Sequence, residues 1–289
     1  MPPKVICVID GNLMAHKSLH VLKDLSLKDG TPVGVIYGVL KQLCTINSKI
    51  DPDEIIITWD GGSQRRKKMY SEYKANRTIT DGMFHQQLLI LNQILYDIGL
   101  SQIMVPGEEA DDIIGSYCNN NKDCKIVIVT SDHDFFQLIN EDVYVYSYSG
   151  LNSKMSTIDT VTEEYGVGPD RLTDLFALTG DSSDNIKGLD GIGIKTSSKI
   201  IQKYINLDNL LEQDKIEFSE HINKSVMENK DMLRLNKILV TINKDIEYNL
   251  KRGNKNLDLV KVMFKDFLDF NYFLNHWHEI ENLSKKGGA

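Results

Sequence analysis

The sequence predicts an α/β protein, a central parallel-type sheet with helices on both faces, followed by a helical C-terminal part. Three observations predict it. Short apolar runs recur: KVICVID (4–10), EIIITWD (54–60), SQIMVP (101–106), KIVIVTSD (125–132) and DVYVYSY (142–148). They are apolar throughout rather than alternating, as suits strands buried on both faces. Segments of helical period separate them, the pattern of a covered parallel sheet with right-handed crossovers. From about residue 159 the strand signals stop and the pattern turns helical.

The elements follow in order. The first run ends in Asp10 and is followed by Gly-Asn. TPVGVIYGVLKQLCTI (31–46) has helical period, with Pro32 suited to a first turn. EIIITWD ends in Asp60. Residues 61–82 are polar, basic and loop-like, too long for an ordinary connection. MFHQQLLILNQILYDIG (83–99) is an amphipathic helix stopped by Gly99. EADDIIGSYCN (109–119) is a helix whose first-turn acids suit its dipole. DRLTDLFALTG and KTSSKIIQKYI are helices flanking the loop-rich GDSSDNIKGLDGIGIKTS. Residues 205–289 are helical in period without a distinct motif, and the ending KKGGA reads as a flexible tail.

Composition bounds the function. The chain has 289 residues, 41% hydrophobic, enough for a real core. No apolar run approaches the ~18 residues of a membrane span, and the start reads as lacking a signal peptide. Cys7, Cys44, Cys118 and Cys124 show no CxxC spacing and read as free thiols of a reducing cytoplasm. The net charge of −8 argues against a generic nucleic-acid coat. The distribution says more than the sum. Residues 65–77, RRKKMYSEYKANR, carry six basic residues and one acid.

The acids sit at strand ends and helix starts: Asp10, Asp60, Glu108, Glu109, Asp111, Asp112, Asp132, Asp134, Asp181 and Asp184. Ligands of parallel sheets bind beyond the carboxyl ends of the strands. Two like charges ~4 Å apart at an effective dielectric of ~20 repel by about 4 kcal/mol, so such a cluster needs protons or cations. Oxygen donors without His or Cys select Mg²⁺, with Mn²⁺ a substitute. Magnesium enzymes mostly act on phosphates. Asp132 and Asp134, at i, i+2, share a face of an extended segment. Glu109 and Asp112, at i, i+3, share a helix face. At this level either Glu108 or Glu109 can be the ligand, and any single acid can be a helix cap. His133 should face away from its neighbours, and His276 and His278 point apart on a helix.

Two further segments suit nucleic acid. Tyr70 and Tyr73 interleave with Arg65, Arg66, Lys67, Lys68, Lys74 and Arg77, a mixture able to stack on bases and track phosphates. In GLDGIGIKT (188–196), Gly191 and Gly193 allow backbone N–H groups to approach a phosphate, and Lys195, Lys199 and Lys203 follow at helical spacing. This is a helix-hairpin-helix signature.

Together, IDGN, WDGG, EYKANR, EADD, TSDHD and LTGDSSDNIKGLDGIGIKT resemble the motif succession of the 5′-nuclease family, the flap endonucleases and 5′→3′ exonucleases, over roughly residues 4–240. The resemblance implies a PIN-like nuclease core over 1–168 with a helical arch at 61–85. It implies a helix–three-turn–helix DNA-binding region over 169–245 and a C-terminal helical segment and tail over 246–289. It implies that Asp10, Asp60, Glu109, Asp111, Asp112, Asp132, Asp134, Asp181 and Asp184 bind two Mg²⁺ ions, and it selects Glu109 over Glu108. One ion is expected near Asp10, Asp60, Glu109 and Asp111, the other nearer Asp132, Asp134, Asp181 and Asp184.

The same resemblance places Lys74, Arg66 and Arg77 in the arch, makes Lys74, Arg66, Asp10 and Asp60 catalytic, and suggests K⁺ at the hairpin carbonyls. Arg65 stands where the family has an apolar or aromatic residue. The implied function is structure-specific DNA hydrolysis in replication and repair, leaving a 5′-phosphate. The implied partners are flapped or ended duplex DNA and single-strand-binding or polymerase proteins. The chain is expected to act as a monomer in a bacterial host cytoplasm, most like the stand-alone phage-type enzymes. The competing readings are a PIN-like magnesium ribonuclease and a non-catalytic DNA-junction-binding relative.

Overall fold

The computed structural model describes residues 2–77 and 82–288. Strands β1 (Val5–Asp10), β2 (Glu54–Trp59), β3 (Ser101–Met104), β4 (Lys125–Val129), β5 (Val143–Ser147) and β6 (Lys154–Ser156) form a six-stranded sheet in the order β3-β2-β1-β4-β5-β6. The first five are parallel and β6 runs antiparallel to β5. The order reverses direction between β1 and β4, which opens a crevice at their carboxyl ends.

Side chains alternate across the sheet with period two. Ile6, Val8, Ile56, Ile126 and Ile128 enter one core and Cys7, Ile9, Ile55, Ile57, Val127 and Val129 the other. On the second face pack α2 (Gly34–Ile50), α4 (Gly82–Ile98) and the C-terminal helices α12 (Leu257–Val262), α13 (Asn271–Asn275) and α14 (Trp277–Ser284), through Leu40, Leu43, Leu91, Val260, Phe273 and Ile280. On the first face lies α5 (Ala110–Asn120). It shares its core with α6 (Ile158–Tyr165), α7 (Leu172–Thr179), α8 (Ile194–Tyr204), α9 (Leu207–Leu211), α10 (Glu220–Glu228) and α11 (Lys230–Val240). The helical region is therefore continuous with the sheet's own core.

Several elements differ from expectation. Helix α1 (Gly11–Val21) follows β1 without a loop, because the Asp10 carboxylate accepts from the Leu13 N–H and caps it. Gly11 has no room for a side chain, since a Cβ there would stand 2.8 Å from the Thr58 carbonyl. The strands β6, β7 (Gly180–Asp181) and β8 (Ile186–Lys187) are too short to carry a sequence period. The basic segment is not only loop: α3 spans Gln64–Met69 and turns follow to residue 77, while residues 78–81 of the expected arch lie outside the described residues. The tail is docked as far as it is described. The Ile55 N–H donates to the Lys286 carbonyl (2.8 Å) and Lys286 pairs with Asp51 (2.8 Å). Cys7, Cys44 and Cys118 are buried, and all four cysteines are free. No helix among the described residues is long and apolar enough to cross a membrane.

A carboxylate-lined candidate active site

Five chain-distant motifs meet at the crevice. Asp10 ends β1, Asp60 follows β2, Glu109 caps α5 with Asp111 in its first turn, Asp132 and Asp134 follow β4, and Asp181 and Asp184 lie in the β7–β8 hairpin. Oxygens of Asp134, Asp181 and Asp184 lie within 4.8 Å of one another. Local hydrogen bonds orient the rest. Asp60 accepts from the Ala110 N–H (2.8 Å) and so holds the start of α5. Asp132 accepts from the Asp134 N–H (3.0 Å).

The electrostatics join these residues into one site. Burial, and then Asp60 and Asp132, push Asp10 up to about 7. Burial pushes Asp111 well above the usual carboxylate range, with Lys74 opposing and Asp10, Asp132 and Asp60 adding. Asp132 is raised by burial and by Asp184 and Asp181. Asp134 is held well above the carboxylate range by burial and then by Asp132, Asp181 and Asp184. Buried carboxylates that resist ionising together are stabilised by a cation. The donors are carboxylate oxygens alone, since His133 Nδ1 turns to the Tyr165 hydroxyl (2.8 Å). The set fits a hard divalent ion.

Asp112 stands apart, which corrects its place in the expected ligand set. It shares a face with Glu109 as the spacing requires, but that face meets Arg66. The guanidinium donates to both Asp112 oxygens (2.7 and 2.8 Å) and to Glu109 Oε2 (2.5 Å). The Asn243 N–H completes the Asp112 shell (2.8 Å). Arg66 also donates to the Leu239 and Thr241 carbonyls (2.8 and 3.0 Å). It is a buried strut between α3, α5 and the helical region, where the sequence pattern predicts a residue facing DNA. Arg65 leans on Asp112 (3.2 Å) with a side chain 33% exposed.

Tyr73 is corrected in the same way. Buried, it presents no face to a base, and its hydroxyl donates to Asp184 (2.7 Å) beside Glu109 (3.2 Å). Lys74 sits at a positive φ of 56°, its N–H bonded to the Asp184 carbonyl (3.0 Å). Its ammonium contacts Glu109 and lies 3.5 Å from Asp184. Burial pulls that ammonium down, but Glu109, Asp111 and Asp184 outweigh burial and leave it raised and charged. Arg77 pairs with Asp184 (2.5 Å) while its side chain stays 51% exposed.

Two supporting residues escape a reading of the sequence. Asn12 accepts from the Asp60 N–H (2.9 Å). Thr130 accepts from the Asp132 N–H (3.1 Å) and reaches Asp10 at 3.5 Å. Their only signal is position, a polar residue beside a strand-end acid. Glu108 uses its backbone, its carbonyl accepting from the Gly61 N–H (2.8 Å).

Gly191, Gly193, Lys195 and Lys199 lie exposed at the start of α8. Gly191 has φ 74°, and Gly193 is the N-cap. Lys203 is instead tied to Glu217 (2.6 Å).

An acid-lined crevice at the switch point of a parallel sheet, with cations leaning into it and a glycine hairpin on an attached helical module, defines an α/β nuclease with a helical appendage. Residues 5–166 match the profile of the 5′-3′ exonuclease N-terminal resolvase-like domain, and 167–261 that of the 5′-3′ exonuclease C-terminal SAM fold. The chain belongs to the 5′-3′ exonuclease family, and it is a nuclease of that family.

A 5′-3′ exonuclease of Buchnera aphidicola is 33% identical over 282 residues, covering 94% of this chain and 96% of that protein. The thermostable DNA polymerase I of Thermus aquaticus is 30% identical over 97% of this chain, which spans only 34% of that protein's length. Among solved structures, the bacteriophage T5 D15 protein co-crystallised with metal ions has a TM-score of 0.72 at 18% identity, covering 96% of this chain and 100% of that one. Human GEN1 in complex with Holliday junction DNA has a TM-score of 0.60 at 16% identity, covering 92% and 68%. These two show the fold.

Proposed function

We propose that the chain is a Mg²⁺-dependent, structure-specific DNA 5′-nuclease that uses two ions. The observation carrying this is the convergence of Asp10, Asp60, Asp111, Asp132, Asp134, Asp181 and Asp184 on one crevice, where burial and the neighbouring acids raise the pKa values of Asp10, Asp111, Asp132 and Asp134. Asp10, Asp60, Glu109 and Asp111 would hold one ion and Asp132, Asp134, Asp181 and Asp184 the other; Asp112 supports them through Arg66. Bound Mg²⁺ supplies a Lewis acid and a lowered water pKa. Lys74 stays charged beside the acids and can offset charge developing on the phosphate. Arg77, half in solvent, extends that positive strip toward an entering strand. Gly191 and Gly193 would offer N–H groups, and Lys195 and Lys199 charge, to the duplex backbone.

The same reading carries K⁺ at the hairpin carbonyls, DNA with a 5′ flap or end as substrate, and a monomer working in the cytoplasm beside single-strand-binding or polymerase proteins. The test is end-labelled 5′-flap DNA, with an RNA flap of the same shape beside it, incubated with and without Mg²⁺. Size-resolved DNA products only with Mg²⁺ are expected, and Asp132→Asn should abolish them while DNA binding persists. Preferential RNA cleavage, or near wild-type turnover by Asp132→Asn at saturating Mg²⁺, would overturn the reading.

A further inference from the structure

The segment after α3 and the β7–β8 hairpin are tied together by bonds that involve no charge. The Lys74 N–H donates to the Asp184 carbonyl (3.0 Å). The Asn76 side-chain amide donates to the Ser182 carbonyl (2.9 Å), and the Asn185 side-chain amide to the Glu72 carbonyl (2.7 Å). Each of these last two carbonyls also closes its own turn. Glu72 accepts from the Ala75 N–H (3.0 Å) and Ser182 from the Asn185 N–H (3.4 Å). Each asparagine therefore grips the turn of the opposite segment, 106 and 113 residues away. The backbone is shaped for this lock. Lys74 and Asn185 both lie in the left-handed region, at φ 56° and 60°. Asparagine enters that region readily, whereas lysine stays there only where its surroundings impose it.

The other ties of this segment are of a different kind. Among the described residues, the ion pairs of Lys74 and Arg77 all go to Glu109 and Asp184. The Tyr73 hydroxyl reaches the same two carboxylates. Both are carboxylates that the proposed function gives to the ions. A carboxylate that coordinates a divalent ion has less charge left for a neighbouring cation, so these pairs weaken as the crevice is loaded. The Tyr73 ring, packed with Ile186, Leu239 and Val240, still anchors residue 73. Beyond it, among the described residues, the hydrogen bonds to the hairpin that use no carboxylate are the Lys74 N–H bond and the two asparagine amides.

We propose that Asn76 and Asn185 are positioning residues of the nuclease reaction, which keep Lys74 at the crevice once divalent ions claim the charge of Glu109 and Asp184. This rests on the proposed function, in which those two carboxylates are ligands. Neither asparagine touches the reacting atoms. They act through Lys74, whose ammonium must stay beside the phosphate, and their bonds to main-chain carbonyls are indifferent to how the carboxylates are shared.

The experiment is amide hydrogen exchange of the full chain, in EDTA and in saturating Mg²⁺, for wild type and for Asn76→Ala with Asn185→Gly. Glycine keeps the left-handed backbone at 185 and removes only the side-chain donor. In Mg²⁺ the variant should exchange residues 74–77 about tenfold faster than wild type. In EDTA, where the ion pairs still hold the segment, the difference should be much smaller. Mg²⁺ should slow exchange at 181–187 in both proteins. The single-turnover rate on 5′-flap DNA should fall about tenfold, with affinity for that DNA in Ca²⁺ nearly unchanged. Asn76→Ala alone, at an exposed position, should show the same pattern more weakly and covers the case in which the double variant fails to fold. Equal acceleration in EDTA and Mg²⁺ would make the asparagines supports of the fold alone and overturn the proposal. So would wild-type exchange and rate in the variant. In both cases slowed exchange at 181–187 in Mg²⁺ leaves the ligand assignment standing. No response to Mg²⁺ anywhere in the crevice would overturn that assignment and the proposal with it.

Discussion

Arg66→Ala separates a buried strut from a DNA-facing side chain. Arg66 is 3% exposed and Asp112 0%. The pair is bidentate, at 2.7 and 2.8 Å, and the same guanidinium serves Glu109 and two carbonyls of residues 239–241. Burial disfavours the Arg66 charge, yet Asp112 and Glu109 outweigh it and raise its pKa further. Removing one partner of such a pair leaves the other charge buried and uncompensated, which costs about 3–5 kcal/mol. Arg65, at 3.2 Å from Asp112, shields part of that charge and places the expectation near the lower end, about 3 kcal/mol. Urea unfolding followed by circular dichroism, with linear extrapolation, measures it. In a double-mutant cycle with Asp112→Ala the coupling should reach about 2 kcal/mol. Arg66→Lys should recover little, since an ammonium cannot form the two-pronged contact. A loss under about 1 kcal/mol combined with weakened DNA binding would refute the reasoning and return Arg66 to the DNA interface.

Three further outcomes are expected. Lys74→Ala should lower the single-turnover rate about 10²–10³-fold with a smaller effect on affinity; an unchanged rate constant with weak affinity would make Lys74 a phosphate grip alone. For the divalent-free protein, Asp10 at about 7 in the fold binds a proton that the unfolded chain, with its ordinary carboxylate, releases near pH 4. Stability should therefore fall as pH rises from about 4 to 7, by at most ~4 kcal/mol from this residue, and saturating Mg²⁺ should reverse the loss; a melting temperature rising over that window would contradict it. Lys195→Ala with Lys199→Ala should flatten the salt dependence of duplex binding in Ca²⁺, by about 0.9 in log–log slope for each phosphate that is no longer neutralised, and superimposable curves would place the duplex on another surface.

How much was legible depends on the range of the interaction. Strands β1, β2 and β4 and helices α2, α4 and α5 could be read because burial imposes a period on successive residues, and their ends shifted by only a few positions. Helix α1 escaped because Gly-Asn reads as a turn until Asp10 is seen to cap it. The hairpin β7–β8 escaped because two residues carry no period. The acids of the site were legible as a set, since parallel strands present their carboxyl ends together. The docking of the tail on β2 was not, because a main-chain bond from Ile55 to Lys286 leaves no trace in side-chain identity.

The sequence by itself determined the layered α/β architecture, the edge at which the acids gather and the family to which the chain belongs. These follow from local periodicity, from charge that must be neutralised and from an ordered succession of motifs. Only the tertiary structure decided how the charges divide. Arg66 and Asp112, 46 residues apart, satisfy each other in the interior. Tyr73 turns its hydroxyl inward to Asp184, 111 residues on. Lys74 and Arg77 stay with the acids of the crevice. A guanidinium suits a phosphate and a buried carboxylate equally well, so residue type cannot choose between them. The choice is made by which partner the folded backbone brings within about 3 Å and away from water.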